Sequence, residues 1–140
     1  MPGSNTSPAA SFGLLVLRVA SGVMLAYGHG WGKLAHFSER AGRFSDPLHV
    51  GSDRSLALAI FAEVACSVLV AIGFATRFAA AVLVFLFGVI LFVVQAGQPF
   101  DKRELGALYG VIYLAILLIG PGAYAVDARW GPKVKFGGGK

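Results

Sequence analysis

Charge is scarce in this chain of 140 residues: Asp, Glu, Lys and Arg make up 14%, against 56% hydrophobic residues. A water-soluble fold of that size has too little interior to hide so much apolar surface, and a mean hydropathy of +0.72 points the same way. Cysteine is nearly missing. The single Cys66 excludes an intrachain disulfide and any Cys-x-x-Cys redox pair, so dithiol chemistry has no seat within the chain. Histidine stops at three, His29, His36 and His49, at spacings that match no metal-ligand motif. A bis-histidine haem would need two of them at matched depth on facing helices, so no metal site is expected. The net charge of +5 comes from basic residues scattered over loops and tail, which favours lipid headgroups over nucleic acid as the counterpart. Lys and Arg are also missing from the first seventeen residues, and Arg18 interrupts the first apolar run, a pattern unlike a cleaved secretory signal.

What the chain does have is long uncharged runs. Leu56 to Phe74 is apolar apart from Glu63 near its centre, and as an α-helix it spans roughly 28 Å, about the thickness of a bilayer's hydrocarbon core. Three further runs read alike: Ser11 to about Tyr27, Phe78 to about Gln95, and Glu104 to Ile119. The first is expected to end at the glycine-rich Gly28-His29-Gly30-Trp31-Gly32-Lys33, and the fourth at Gly120-Pro121-Gly122. Only Ala75-Thr76-Arg77 separates the second and third, which forces an antiparallel hairpin. The expected architecture is an all-α, integral membrane four-helix bundle, antiparallel and up-down-up-down, over residues 11–130. A disordered tail (1–10) precedes it and a basic flexible tail (131–140) follows. Apolar residues run on where a barrel strand would alternate, which excludes a transmembrane β-barrel. Lys and Arg number five on the side of the tails and six on the other, too even to orient the chain.

Ionisable groups inside the spans need partners. Measured from the side of the tails, Arg18 lies about 9–14 Å deep and Glu63 about 16 Å deep, so a buried Arg18–Glu63 pair is expected. Arg18, Gly22, Leu25 and His29 share one inward stripe of the first helix, and Gly22, Ala26 and Gly30 form a small-residue ladder that permits close packing. Gly106 and Gly110, beside Tyr109 and Tyr113, read as a second close contact, with either the same chain or another copy. Cys66 reads as a small packing residue. Phe78, Phe85 and Phe92, at heptad spacing, read as packing or lipid contact, or else as one wall of a flat-ring pocket. Topology gathers His29, Lys33, Gln95, Asp101 and Glu104 at one membrane face. Together with Tyr109 they are the candidate proton relay or ligand site, the plainer alternative being helix capping and headgroup contact. The charged loop 34–55, with room for a short interfacial helix, is the candidate surface for a protein partner.

The ordered set of these segments resembles the DoxX family of small bacterial membrane proteins. Leu17-Arg18 and His29-Gly30-x-Gly32-Lys33-Leu34 carry the resemblance first, then Glu63 and Gly73-Phe74-x-Thr76-Arg77. Glu104, Leu105, Leu108 and Tyr109 extend it, and Gly120-Pro121-Gly122-x-Tyr124-x-x-Asp127 closes it. The resemblance implies a multi-pass protein of the bacterial inner membrane, associated with oxidoreductases; relatives include a subunit of thiosulfate:quinone oxidoreductase. Three readings follow. The chain is an accessory or quinone-associated subunit without a redox centre of its own, a membrane carrier or receptor for a small apolar molecule, lipid or ion, or a structural homo-oligomer. Quinone is the cofactor the first would use.

Overall fold

The computed structural model describes residues 7–129, and the expected basic tail at 131–140 lies outside them. Helix α1 (Pro8–Leu25) starts earlier than expected, taking in residues 8–10 of the supposed tail. The cause is local: the Ser7 hydroxyl accepts from the Ala10 amide at 3.1 Å, and Pro8 brings a φ already suited to a first helical turn.

Nor does the glycine-rich stretch end this helix. The backbone widens into a π-helical segment, π1 (Ala26–Gly30), and continues as α2 (Trp31–Ala35), making one rod of 28 residues. The short helix α3 (Phe37–Arg40) follows. The second rod is α4 (Ser52–Ile60), π2 (Phe61–Cys66) and α5 (Ser67–Ile72), and the third is α6 (Thr76–Val89) with π3 (Ile90–Val94). Helix α7 (Phe100–Ile119) and the short α8 (Val126–Arg129) complete an all-helical chain, with no strand among the described residues.

Three rods, Pro8–Ala35, Ser52–Ile72 and Thr76–Val94, are long and apolar enough to cross a membrane. Helix α7 has the length, but Asp101, Lys102, Arg103 and Glu104 crowd its first turns. Helix α1 lies along α5, π1 meets π2, α6 lies along α7, and α7 also touches α1, which closes the packing into a ring. Leu25, Cys66, Val70, Leu83, Phe87, Tyr109, Tyr113 and Ile116 fill the centre. Large apolar side chains, Phe12, Val16, Tyr27 and Leu118 among them, cover the outside. An apolar exterior around a mixed interior is what acyl chains as solvent require. Phe78, Phe85 and Phe92 belong to that exterior, at 60%, 61% and 73% exposure, and so do not wall an internal pocket.

The turn between the second and third rods is the most constrained backbone in the chain. Gly73 (φ +82°) ends α5 in a Schellman arrangement, with the Phe74 amide donating to the Leu69 carbonyl at 3.0 Å. Ala75 also has a positive φ, +50°. It is held there because Asp127, from beyond α7, accepts from the Ala75 and Thr76 amides, each at 2.8 Å, and so caps α6. A second built turn precedes α4. There Asp46 accepts from Ser55 Oγ, Gly51 N and Val50 N, and these bonds, the Ser55 hydroxyl first, hold its carboxyl below the usual range.

Glycine positions on this scaffold differ in what they tolerate. A Cβ at Gly73 would lie 2.4 Å from Ala125 Cβ and 2.6 Å from Arg18 Nη1, whereas one at Gly88 would meet nothing within 4 Å. Gly73→Ala should therefore lower thermal stability in detergent by more than the roughly 1–2 kcal/mol of a left-handed residue alone. Gly88→Ala should leave it unchanged or raise it, by up to about 1 kcal/mol of helix propensity. Circular dichroism melts of the two variants check the contrast.

Candidate functional site

Two buried charges organise the interior, and they do not meet. Arg18 is fully buried, and its guanidinium donates through Nη1 to the carbonyls of Val70 (3.1 Å) and Ala71 (3.0 Å), and through Nη2 to that of Tyr124 (2.9 Å). Val70 and Ala71 lie in the last turn of α5, where carbonyls keep acceptor capacity to spare, Val70 taking also the Gly73 amide at 3.1 Å, and the dipole is negative, so a cation there is solvated by backbone. Asp127 adds an attractive charge nearby. The expected Arg18–Glu63 pair is thereby overturned. The expectation took the rods as level at the tail side, but the first overhangs the second. Arg18 thus faces Val70, roughly 10 Å along the second rod from Glu63 at 1.5 Å per residue.

Glu63 is buried in π2 and takes Lys33 instead, with Nζ 2.7 Å from Oε1. The side chains are 17% and 5% exposed, Lys33 the more open. This pair exists because the first rod runs on through π1 into α2, carrying Lys33 back over the second rod. Lys33 also reaches the His29 carbonyl at 3.5 Å. Glycine makes the approach close: a Cβ at Gly30 would lie 2.5 Å from Val64 Cγ2 and 3.0 Å from the Glu63 carbonyl oxygen. One at Gly22 would lie 2.5 Å from the Ser67 carbonyl oxygen and 2.9 Å from Ala71 Cβ. Ala26, between them, is half-buried. Ser67 donates its hydroxyl back to the Glu63 carbonyl.

Aromatic rings continue the site from the other side of the packing. The half-buried His29 ring stands edge-on to Tyr109, with centroids 5.8 Å apart and planes at 86°. Tyr109 stacks on Phe87 at 5.3 Å and on Tyr113 at 6.3 Å, with planes within 17° and 8°. The Glu63 carboxylate acts electrostatically on the Tyr109 phenol. The Tyr113 hydroxyl is sealed inside, interacting with Ser21 of α1 at a geometry short of a full hydrogen bond. Cys66 is buried and free.

Of the residues expected at one membrane face, the fold brings together His29, Lys33 and Tyr109 and adds Glu63 to them. Gln95 is spent elsewhere: its amide donates to the Lys102 carbonyl at 3.1 Å, and its Oε1 is buried without a partner. Glu104 and Asp101 are exposed at the entry of α7. Gly106 and Gly110 face the third rod of the same chain, at ordinary contact distances of 3.5 to 3.8 Å for an added Cβ, so they neither force a tight approach nor stand free for another copy. Arg103, which no motif singled out, donates to the Leu91 carbonyl in π3 at 2.7 Å.

Removing one member of a buried ion pair leaves a bare charge, at a typical cost of about 3–5 kcal/mol. Lys33→Met and Glu63→Leu should each lower thermal stability strongly, and the double variant should recover most of the loss. Combining Arg18→Met with Glu63→Leu should bring no recovery. A double-mutant cycle read by melting temperature in detergent checks both.

Comparison with known proteins adds the family. The DoxX family model matches residues 13–96, which include Arg18, His29, Lys33, Glu63 and Gln95 and stop short of Tyr109. No curated protein and no solved structure matches the chain. Match and apolar rods together make this an integral membrane protein, and with more than half of its length covered by that model, the chain belongs to the DoxX family.

Proposed function

We propose that the chain serves as an accessory, quinone-associated subunit of a membrane oxidoreductase system, with no redox centre of its own. In this reading α7 is a fourth crossing, the ring of helices is an up-down-up-down bundle, and the membrane is the bacterial inner membrane. The observation that carries the reading is the junction of a buried ion pair with an aromatic stack: Lys33–Glu63 at 2.7 Å, His29 edge-on to Tyr109, and Tyr109 stacked on Phe87 and Tyr113.

The residues fit what a quinone needs. A flat ring calls for flat apolar surface, for which the buried Tyr109 and Phe87 rings, now stacked on each other, would have to part, and its carbonyl oxygens call for donors. His29 and the Lys33 ammonium supply them, and the buried Tyr113 hydroxyl is a further donor without a good partner of its own. When bound, a quinone supplies two-electron, two-proton chemistry that this chain lacks. The protein's own part is protonic. Lys33 is the more exposed partner and Glu63 the buried acceptor beside it, so together they can hold a proton at Glu63 Oε1 and exchange it on the open side of Lys33. The half-buried His29 ring, edge-on to Tyr109, is the next group along the site to which it can pass.

Gentle purification followed by mass spectrometry of retained small molecules tests this. A quinone should copurify with the native chain, fall steeply in Glu63→Gln and His29→Ala, and fall less in Tyr109→Phe, which keeps the ring surface. Absence of quinone from the folded native protein, or retention unchanged in all three variants, contradicts the reading. Uptake of an apolar solute into proteoliposomes that depends on Glu63 would support a carrier instead.

A further inference from the structure

The first rod is longer than a bilayer needs. Its 28 residues span about 42 Å at 1.5 Å per residue, against a hydrocarbon core of about 30 Å. The excess lies at the N-terminal end, where α1 overhangs α5, while the α2 end leads to a membrane face through the loop that joins it to the second rod, and there the surface changes character. Trp31 and Leu34 are exposed on α2, and Phe37 follows after the chain bends at His36 (φ −116°, ψ 34°). Amphipathic rings with aliphatic neighbours at this level are the usual furniture of a membrane interface.

Just beyond them, Arg40, Arg43, Glu39 and Phe44 line a half-open cleft of about 330 Å³. The loop that carries this cleft is built rather than slack, since Ser52 Oγ donates to the Phe44 carbonyl at 2.7 Å and Asp46 ties the chain to Val50, Gly51 and Ser55. Those bonds also take Asp46 out of competition, which leaves Glu39 as the carboxylate in the cleft. Asp46 is fully engaged, and Asp53 accepts from the Arg54 amide at 2.9 Å. Lys33 is committed to Glu63, whereas neither Arg40 nor Arg43 forms an ion pair with a described residue.

We propose that this cleft binds the phosphate of an anionic phospholipid headgroup, with Trp31, Leu34 and Phe37 seating the segment among the upper acyl carbons. Two guanidiniums three residues apart, Arg40 at the end of α3 and Arg43 in the turn that follows, can give planar, multidentate recognition of a phosphodiester, which a single exposed lysine would not. Glu39 on the rim is an acceptor, which suits a headgroup that carries hydroxyls, such as phosphatidylglycerol. The place of the cleft, on the loop between two membrane-crossing rods and next to exposed Trp31, Leu34 and Phe37, favours lipid over a soluble protein as its occupant.

Native mass spectrometry of the full chain, offered phosphatidylglycerol and phosphatidylcholine together, tests the assignment. The native protein should retain phosphatidylglycerol preferentially, and Arg40→Gln and Arg43→Gln should each weaken that preference by about fivefold. Arg54→Gln, outside the cleft, should leave it intact. Should the cleft variants fail to fold, the preference of the native chain should still fall as ionic strength rises. Equal retention of the two lipids, or a preference indifferent to both arginines and to salt, overturns the proposal. So does inorganic phosphate binding with no preference for lipid, which gives the cleft to the free anion. Variants that keep the lipid preference and lose a copurifying protein give it to a protein partner and overturn it too.

Discussion

A charge within hydrocarbon must be solvated by the protein itself, and this chain meets that demand in two ways. Arg18 is surrounded by backbone, drawing on the carbonyls of Val70 and Ala71 in the last turn of α5. Glu63 is neutralised by a side chain from a helix that had to run past its apparent end to deliver it. Both solutions depend on how far the first rod slides along the second, and Gly22 and Gly30 set how near they lie. Stagger, spacing and charge placement are therefore one constraint seen three ways.

The constraint reaches the C-terminal segment as well. The Tyr124 carbonyl is the third acceptor for Arg18, and the next residue, Ala125, packs against Gly73. Asp127 then caps α6 and draws the Gly73 carbonyl to its own amide at 2.8 Å. The segment after α7 thus straps the far turn, and Gly73 must lack a side chain because Arg18 and Ala125 occupy the space. A substitution at any one of Arg18, Gly73 or Asp127 would loosen the contacts of the other two, so their effects should not add.

Much of this was readable from residue order. Uninterrupted apolar runs placed the second and third rods, and the three-residue turn at Ala75-Thr76-Arg77 implied their hairpin. The low tolerance of hydrocarbon for charge marked Arg18 and Glu63 as buried groups in need of partners. Which partners they took was not readable, because pairing depends on the stagger, and a helix sequence carries no record of its register against a neighbour. The same blindness hid Lys33. Gly28, Gly30 and Gly32 look like a helix stop when propensity alone is weighed, yet at Gly30 the glycine serves close packing, and a π-helical turn carries the chain onward. Glu104 drew notice for its charge, and its position in the first turns of α7 leaves it exposed. Asp127 acts through backbone amides about fifty residues away, and no spacing rule points to such bonds across long stretches of chain.

The site at the inner end of this scheme joins an ion pair to a ring stack, and its chemistry depends on Lys33, not Arg18, being the counter-ion of Glu63. Solid-state NMR on protein reconstituted in bilayers, with ¹³C at the Glu63 carboxyl carbon and ¹⁵N at lysine and arginine side chains, measures that directly. Strong dipolar dephasing of Glu63 by the Lys33 ammonium, at hydrogen-bonding range, is the expected result. Dephasing by the Arg18 guanidinium, or by neither cation, would contradict the account.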